Sequence, residues 1–187
     1  MQKLSISFLG RDCPGIVAIV SQSLSDTGCN ITQLTQSILG GEFAAIFIVE
    51  TDDATDINSL RESLDAALKA HSVDMSVTVR KAVEGCWGEG AVCEPYVVTA
   101  DGHDAPGLIS TMARVFARHN INIESLKAVL GHGGRDHALF VFEVMVPEDS
   151  DIGRLRREIQ SAGRTKNLTV SVQHRDIFEA MHRITEY

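Results

Sequence analysis

No run of apolar residues in this chain approaches the roughly 20 that a helix needs to cross a bilayer, so no membrane-spanning helix is expected. Met1-Gln2-Lys3 leads straight into a strand pattern, without the charged and apolar layout of a signal peptide, which makes a soluble cytoplasmic protein the expectation. Basic charge is also short: 17 Lys and Arg stand against 25 Asp and Glu, a formal net charge of -8 carried mainly by residues 1–80. Proteins that grip nucleic acid gain affinity by neutralising phosphates, so no direct nucleic-acid partner is expected. The four cysteines, Cys13, Cys29, Cys86 and Cys93, lack the dense spacing of a secreted disulfide framework and read as free thiols in a reducing compartment. Six residues separate Cys86 from Cys93, unlike the close pairs of zinc sites. No serine or cysteine nucleophile is marked by an accompanying pattern, so the expectation is no enzyme, no cofactor and no metal.

What the chain does have is a duplicated stretch. GRDCPGIV, from Gly10 to Val17, returns as GHDAPGLI from Gly102 to Ile109. In each copy an apolar alternating run ends at glycine, and the Asp two residues further on is placed to cap the following helix. Asp12 and Asp104 are the two candidates. Pro then falls in the helix's first turn, where its missing N–H is harmless, and the next Gly lets the backbone approach something closely. Helix-start N–H groups left over form a binder of carboxylate or phosphate. A lone copy of this pattern is also a good strand-to-helix turn with no ligand, and it is the repetition that raises its interest. A shift of 92 residues aligns Pro14 with Pro106, Val20 with Met112, Leu24 with Phe116, and Asn30-Ile31 with Asn122-Ile123. Beyond a small insertion, Ala44 faces Ala138, and Thr55-Asp56-Ile57 faces Ser150-Asp151-Ile152. Whole domains therefore repeat.

Each domain has one plan. Leu4, Ile6 and Phe8 alternate with serines as a half-buried strand, and Ile16, Val17, Val20 and Leu24 form a helical stripe that ends at Gly28. Asn30 to Leu39, the Gly40-Gly41 turn and Phe43 to Thr51 make a hairpin. Thr55 is the expected N-cap of a second helix buried through Ile57, Leu60, Leu64 and Leu68, and Val73 to Val79 alternate as a fourth strand. The second copy repeats this with Tyr96 to Ala100, a stripe of Leu108, Ile109, Met112, Val115 and Phe116, a strand from Asn122, a longer turn at 131–136, a strand from Ala138 to Val146, a helix capped by Ser150 and broken by Gly163, and a strand through Leu168, Val170 and Val172. The pattern predicts an α+β chain of two ferredoxin-like βαββαβ units with antiparallel sheets and both helices on one face. Its segments are domain 1 at 1–80, a linker at 81–95, domain 2 at 96–175, and an amphipathic C-terminal helix at 176–187 with Ile177, Phe178, Met181 and Ile184 on one side. Trp87 in the linker reads as a packing plug or, alternatively, a stacking platform.

Other residues admit a plain reading beside a chemical one. Cys13 precedes a helix start, where a thiolate is stabilised, yet it also suits a small filler side chain. His132 and His137 flank the longer turn and share only Asp136 as a nearby carboxylate, a thin basis for a metal. His103 beside Asp104 has the look of half an acid-base pair. Arg154, Arg156, Arg157, Arg164 and Lys166 make either a solvated helix face or a docking patch for an acidic partner.

The G-x-D-x-P-G-[IL]-[VI] loop, the helix, and Asn-Ile opening an antiparallel hairpin resemble the ACT domain family, whose members are small regulatory modules that bind amino acids. Two copies with little else resemble the stand-alone tandem ACT proteins of the glycine cleavage system transcriptional repressor type. The resemblance implies that an amino acid sits where the first strand-to-helix loop of one unit meets a neighbouring unit. It places Asp12, Cys13, Pro14, Gly15 and Ile16 with Asn30 and Ile31 at one candidate site, and Asp104, Ala105, Pro106, Gly107 and Leu108 with Asn122 and Ile123 at the other. Asp12 and Asp104 stand where amino-acid-binding ACT loops often carry Asn. Helix-start N–H groups suit a ligand carboxylate, Asp or Asn suits its ammonium, and Ile16 or Leu108 can line a side-chain pocket. The expected function is an amino-acid-responsive regulator, glycine and serine being candidate ligands, that acts on a transcription regulator or metabolic enzyme through protein contact and assembles as a homo-oligomer. A ligand-independent interaction module is the alternative, and a small enzyme ranks third.

Overall fold

A computed structural model of the chain describes residues 1–83, 90, 92–131 and 136–183. The expectations for Cys86, Trp87, His132 and Ile184 fall outside the described residues. Two compact units divide the chain, Met1–Glu84 and Gly85–Tyr187. The first runs β1 (Gln2–Arg11), α1 (Ile16–Asp26), β2 (Asn30–Leu39), β3 (Glu42–Thr51), α2 (Ile57–Ala70) and β4 (Met75–Lys81). The second runs β5 (Cys93–His103), α3 (Leu108–Arg118), β6 (Asn122–Leu130), β7 (His137–Pro147), α4 (Ile152–Arg164) and β8 (Leu168–His174), followed by α5 (Arg175–Arg183). Strand thus takes up both ends of the stretch read as a linker, since β4 reaches Lys81 and β5 begins at Cys93.

Each unit is the βαββαβ arrangement, with sheet orders β2-β3-β1-β4 and β6-β7-β5-β8 and every pairing antiparallel. Alternation decides which side is buried. Leu4, Ile6 and Phe8 of β1 and Phe43, Ala45, Phe47 and Val49 of β3 point to the helices, where Ile16, Val20, Leu24, Leu60, Leu64 and Leu68 close the core. Phe8 and Phe47 meet edge to face at 5.3 Å. Such a pair adds about 0.5–1.5 kcal/mol beyond its burial. The second core repeats this with Val98, Ala100, Phe142, Leu108, Met112, Phe116, Leu155 and Ile159. No described helix is long and apolar enough to cross a membrane.

The predicted helix ends needed several corrections. Asp12 and Asp104 cap nothing: the N-caps are Gly15 and Gly107, in the left-handed region at φ 97° and 86°, and neither position has a side chain to accept from the first turn. A side chain reaches the first-turn N–H groups only from the N-cap itself, and the Asp lies three residues too early, which also puts Pro14 and Pro106 ahead of the first turn. In α2 and α4 the cap is one residue later than expected. Asp56 accepts from Ser59 N–H and Asp151 from Arg154 N–H, both at 2.8 Å, because a carboxylate at the positive helix end outcompetes the neighbouring hydroxyl. Thr55 instead shares a hydroxyl contact of 2.8 Å with Thr51, and Ser150 donates its N–H to Pro147 O.

Three packing expectations also change. Ile109 is 42% exposed rather than part of the α3 stripe. Gly163 does not break α4, which continues to Arg164; a Cβ on it would lie under 2.5 Å from Val170 Cγ2, so it is a packing glycine inside the helix. Gly10 pairs with Phe43 and Gly102 with Ala138, so Ala138 is the counterpart of Phe43, one residue before Ala44.

Candidate functional site

The end of β1 sits against the α2–β4 turn so closely that only glycine fits at position 10, where a Cβ would meet Asp74 O and Met75 Cα. The chain then turns through Asp12, whose N–H donates to Gly41 O at 2.9 Å and ties the loop to the β2–β3 hairpin. Gly15, at φ 97°, throws the backbone into α1, and an L side chain there would be strained. Its unbuilt Cβ direction faces open space, with nothing within 4 Å. The first bond of α1 runs from Ile19 N–H to Gly15 O, at 3.0 Å. The N–H groups of Ile16, Val17 and Ala18 precede it at the open start of the helix.

These elements frame a groove of about 490 Å³ whose walls include Asp12, Cys13, Ile16, Gln36, Ile38 and Phe43. Ile16 and Phe43 are buried in its floor, while Ile38 is 55% exposed along one side. The exposed Asp12 carboxylate stands on the rim. A positive helix start, a carboxylate and an apolar floor in one depression match the three parts of a zwitterionic amino acid.

Gln36, Ile38 and Phe43 were not among the residues singled out in sequence. Their signal is the Gly40-Gly41 turn: in an antiparallel hairpin, residues near the turn share one sheet end with the last residues of β1, as Arg11 opposite Glu42 and Leu39 opposite Glu42 confirm. The same topology separates Asn30 and Ile31 from their own loop. Asn30 pairs with Glu50, at the other end of β3 from Glu42, roughly 26 Å away at 3.3 Å per residue. Asn30 is exposed, and Ile31 packs on the core. Asn122 and Ile123 are placed alike, with Asn122 opposite Met145.

In the second unit the loop from Asp104 to Leu108 has the same backbone but different company. Asp104 N–H donates to Asp136 O at 2.9 Å, and His103 Nδ1 lies 3.2 Å from that same oxygen. His103 therefore engages the main chain of the β6–β7 turn, and the expected acid-base pair with Asp104 does not form. Ser110 and Thr111 hydroxyls both donate to Gly107 O, at 3.0 and 2.8 Å. Lys166, from the α4–β8 turn, donates to Pro106 O at 3.3 Å. Leu108 is buried and Ala105 packs on the core.

The remaining candidates divide. Cys13 lines the first groove, Cys29 is buried with Thr27 Oγ1 at 3.7 Å from its sulfur, and Cys93 is half-buried in β5. His137 Nδ1 lies 3.2 Å from Asp101 Oδ1, close enough to attract but without hydrogen-bond alignment. Among the described residues no group of three His, Cys, Asp or Glu is placed to hold a metal. Of the basic cluster, Arg154 bonds Glu158, Arg156 donates to Val172 O and Lys166 reaches the loop.

Known proteins share this architecture. One family model described as ACT domain matches residues 2–78, and a second so described matches residues 96–164. A UPF0237 protein of Methanopyrus kandleri is 40% identical over 89 residues, which span 47% of this chain and 96% of that protein. The glycine cleavage system transcriptional repressor of Escherichia coli is 30% identical over 123 residues, 66% of this chain and 62% of that one. The solved structure of an unknown protein from Galdieria sulphuraria has the same fold at a TM-score of 0.73 and 22% identity, covering 92% of this chain and 98% of that chain.

Proposed function

The chain belongs to the ACT domain family, carrying two such domains, and on that premise we propose that it is an amino-acid-responsive regulatory protein. The observation that carries this reading is the open groove at the first loop, where Asp12, the α1 start and an apolar floor converge. The ligand carboxylate takes the N–H groups of Ile16 to Ala18, its ammonium takes Asp12, and its side chain rests on Ile16, Ile38 and Phe43. Such a floor accepts a small or aliphatic side chain and rejects a charged one, since an unpaired charge there is desolvated without compensation. Asn30 and Ile31, a sheet length away from their own loop, join a site only at the loop of a neighbouring unit, and a homo-oligomer that supplies such a unit is part of the proposal.

Regulation follows from linkage. An amino acid that binds one arrangement of the units better than another shifts the population toward it, by no more than its differential affinity. The surface so selected meets a transcription regulator or a metabolic enzyme, and the role requires no catalytic step. Isothermal titration against the twenty protein amino acids tests this. At least one should bind, and Asp12→Ala should weaken it about tenfold, the equivalent of about 1.4 kcal/mol for one lost charged contact. Silence across the panel at millimolar ligand rejects the proposal. A ligand-independent interaction module then becomes the better account, favoured by the outward face of the first sheet, where Leu9 and Ile46 are 57% and 47% exposed.

A further inference from the structure

The two loops share backbone, register and glycine geometry, yet the space above them differs. Over Gly15 nothing approaches within 4 Å of the Cβ direction, whereas over Gly107 the same direction meets Ser110 Oγ at 3.6 Å and Lys166 Nζ at 3.8 Å. The lysine is half-buried and its ammonium donates to Pro106 O at 3.3 Å. The corresponding turn of the first unit, from His71 to Met75, carries no Lys or Arg and contributes Asp74 instead. We propose that Lys166 is a built-in substitute for a ligand's ammonium group, so that the second loop is occupied by its own chain and each chain keeps one working amino-acid site, in the first unit. This rests on the amino-acid reading of the first loop.

The chemistry of the two loops agrees. An amino acid approaching the second loop brings an ammonium whose partner would be Asp104, the counterpart of Asp12, and the Lys166 cation held on Pro106 O two residues along the same loop repels it. The tethered ammonium competes at an effective concentration on the order of millimolar or above, with no translational entropy to lose. Ser110 and Thr111 reinforce the closure by folding their hydroxyls onto Gly107 O, where the first unit has Ala18 and Ile19 and no hydroxyl at either place. The duplicated loop thus serves two ends: one copy receives ligand and the other holds its shape without it.

Stoichiometry reads this directly. The full-length chain and its Lys166→Gln and Lys166→Met variants are each titrated calorimetrically with all twenty protein amino acids, and amide chemical shifts of Ile16 and Leu108 are followed by NMR. The expected result is one equivalent per chain for wild type, with Ile16 shifting and Leu108 still, and two equivalents for both variants, with both amides shifting. One equivalent before and after substitution overturns the role of Lys166 while leaving the first-loop reading intact, as do two equivalents in wild type. No binding by any of the three removes the reading itself and this inference with it. Both variants change a turn side chain outside the cores, and unaltered amide dispersion confirms that the fold persists.

Discussion

The two units build the same strand order around different core side chains, and the difference shows what a shared fold constrains. In the first unit Phe8 of β1 meets Phe47 edge to face, and Leu24 of α1 belongs to the same core; in the second, the corresponding places hold Ala100 and Phe116, and it is the helix that supplies the ring meeting Phe142, at 5.4 Å. A phenyl group has moved from sheet to helix, and an alanine stands where it was. Strand order and helix placement persist while the residues at individual core positions change. The end of the second helix shows the same trade. Leu68 is buried where the second unit has Gly163, and Val170 enters the room the glycine leaves.

Away from the cores the units diverge. The α1–α2 seam of the first is a groove of about 530 Å³ lined by Ala18, Gln22, Asp26, Ser63, Ala67 and His71. The α3–α4 seam of the second is crossed by a charged cluster in which Glu158 meets Arg154 at 2.8 Å, His119 at 3.0 Å and Arg118 at 3.7 Å. The outward face of the second sheet also has α5 against β5 and β8, anchored by Arg175 on Glu124 at 2.8 Å.

The largest test of this comparison exchanges the packing. Phe8→Ala alone should cost about 3–5 kcal/mol, and adding Leu24→Phe, which recreates the second unit's arrangement in the first, should recover more than 1 kcal/mol of it. Chemical denaturation of the single and double variants measures both, and strict additivity would mean the two cores are not interchangeable. Next in size, Gly163→Ala should destabilise the second unit by about 1–2 kcal/mol, because overpacking against Val170 of about 1–3 kcal/mol exceeds the gain of about 1 kcal/mol from replacing a helical glycine. Hydrogen exchange should show the loss in α4 and β8; a more stable variant would mean that Val170 has room to turn.

The smallest effect separates the seams by pH. Hydrogen bonds from Arg154 and His119 hold the Glu158 carboxyl down to about 2, below its ordinary 4.5. A carboxylate with a lowered folded value stabilises fully above its unfolded value and loses that contribution as the pH falls through the folded one. Acidification from 4.5 to 2 should therefore weaken the second unit through this residue, and Glu158→Gln should flatten that part of the profile. Unit-resolved exchange against pH checks it, and an unchanged slope in the variant would remove Glu158 from the acid response.

Much of the fold was legible because period-2 and period-3.6 alternation are local properties, and duplication let each copy check the other. Helix starts were misplaced because Thr55 next to Asp56 and Ser150 next to Asp151 offer two capping side chains in a row, and only helix geometry selects one. Of the candidate groove, the loop from Asp12 to Ile16 was legible, since it is contiguous. Gln36, Ile38 and Phe43 come from a hairpin and reach the groove through strand order, which periodicity does not encode.

Apolar spacing and repetition alone thus determined two βαββαβ units and the loop that opens each first helix. Tertiary structure alone decided that Lys166 meets Pro106 across 60 residues of chain, a meeting that no local pattern reports. Contacts made through space depend on how strands are ordered and turns are closed, and those are set only when the whole core packs.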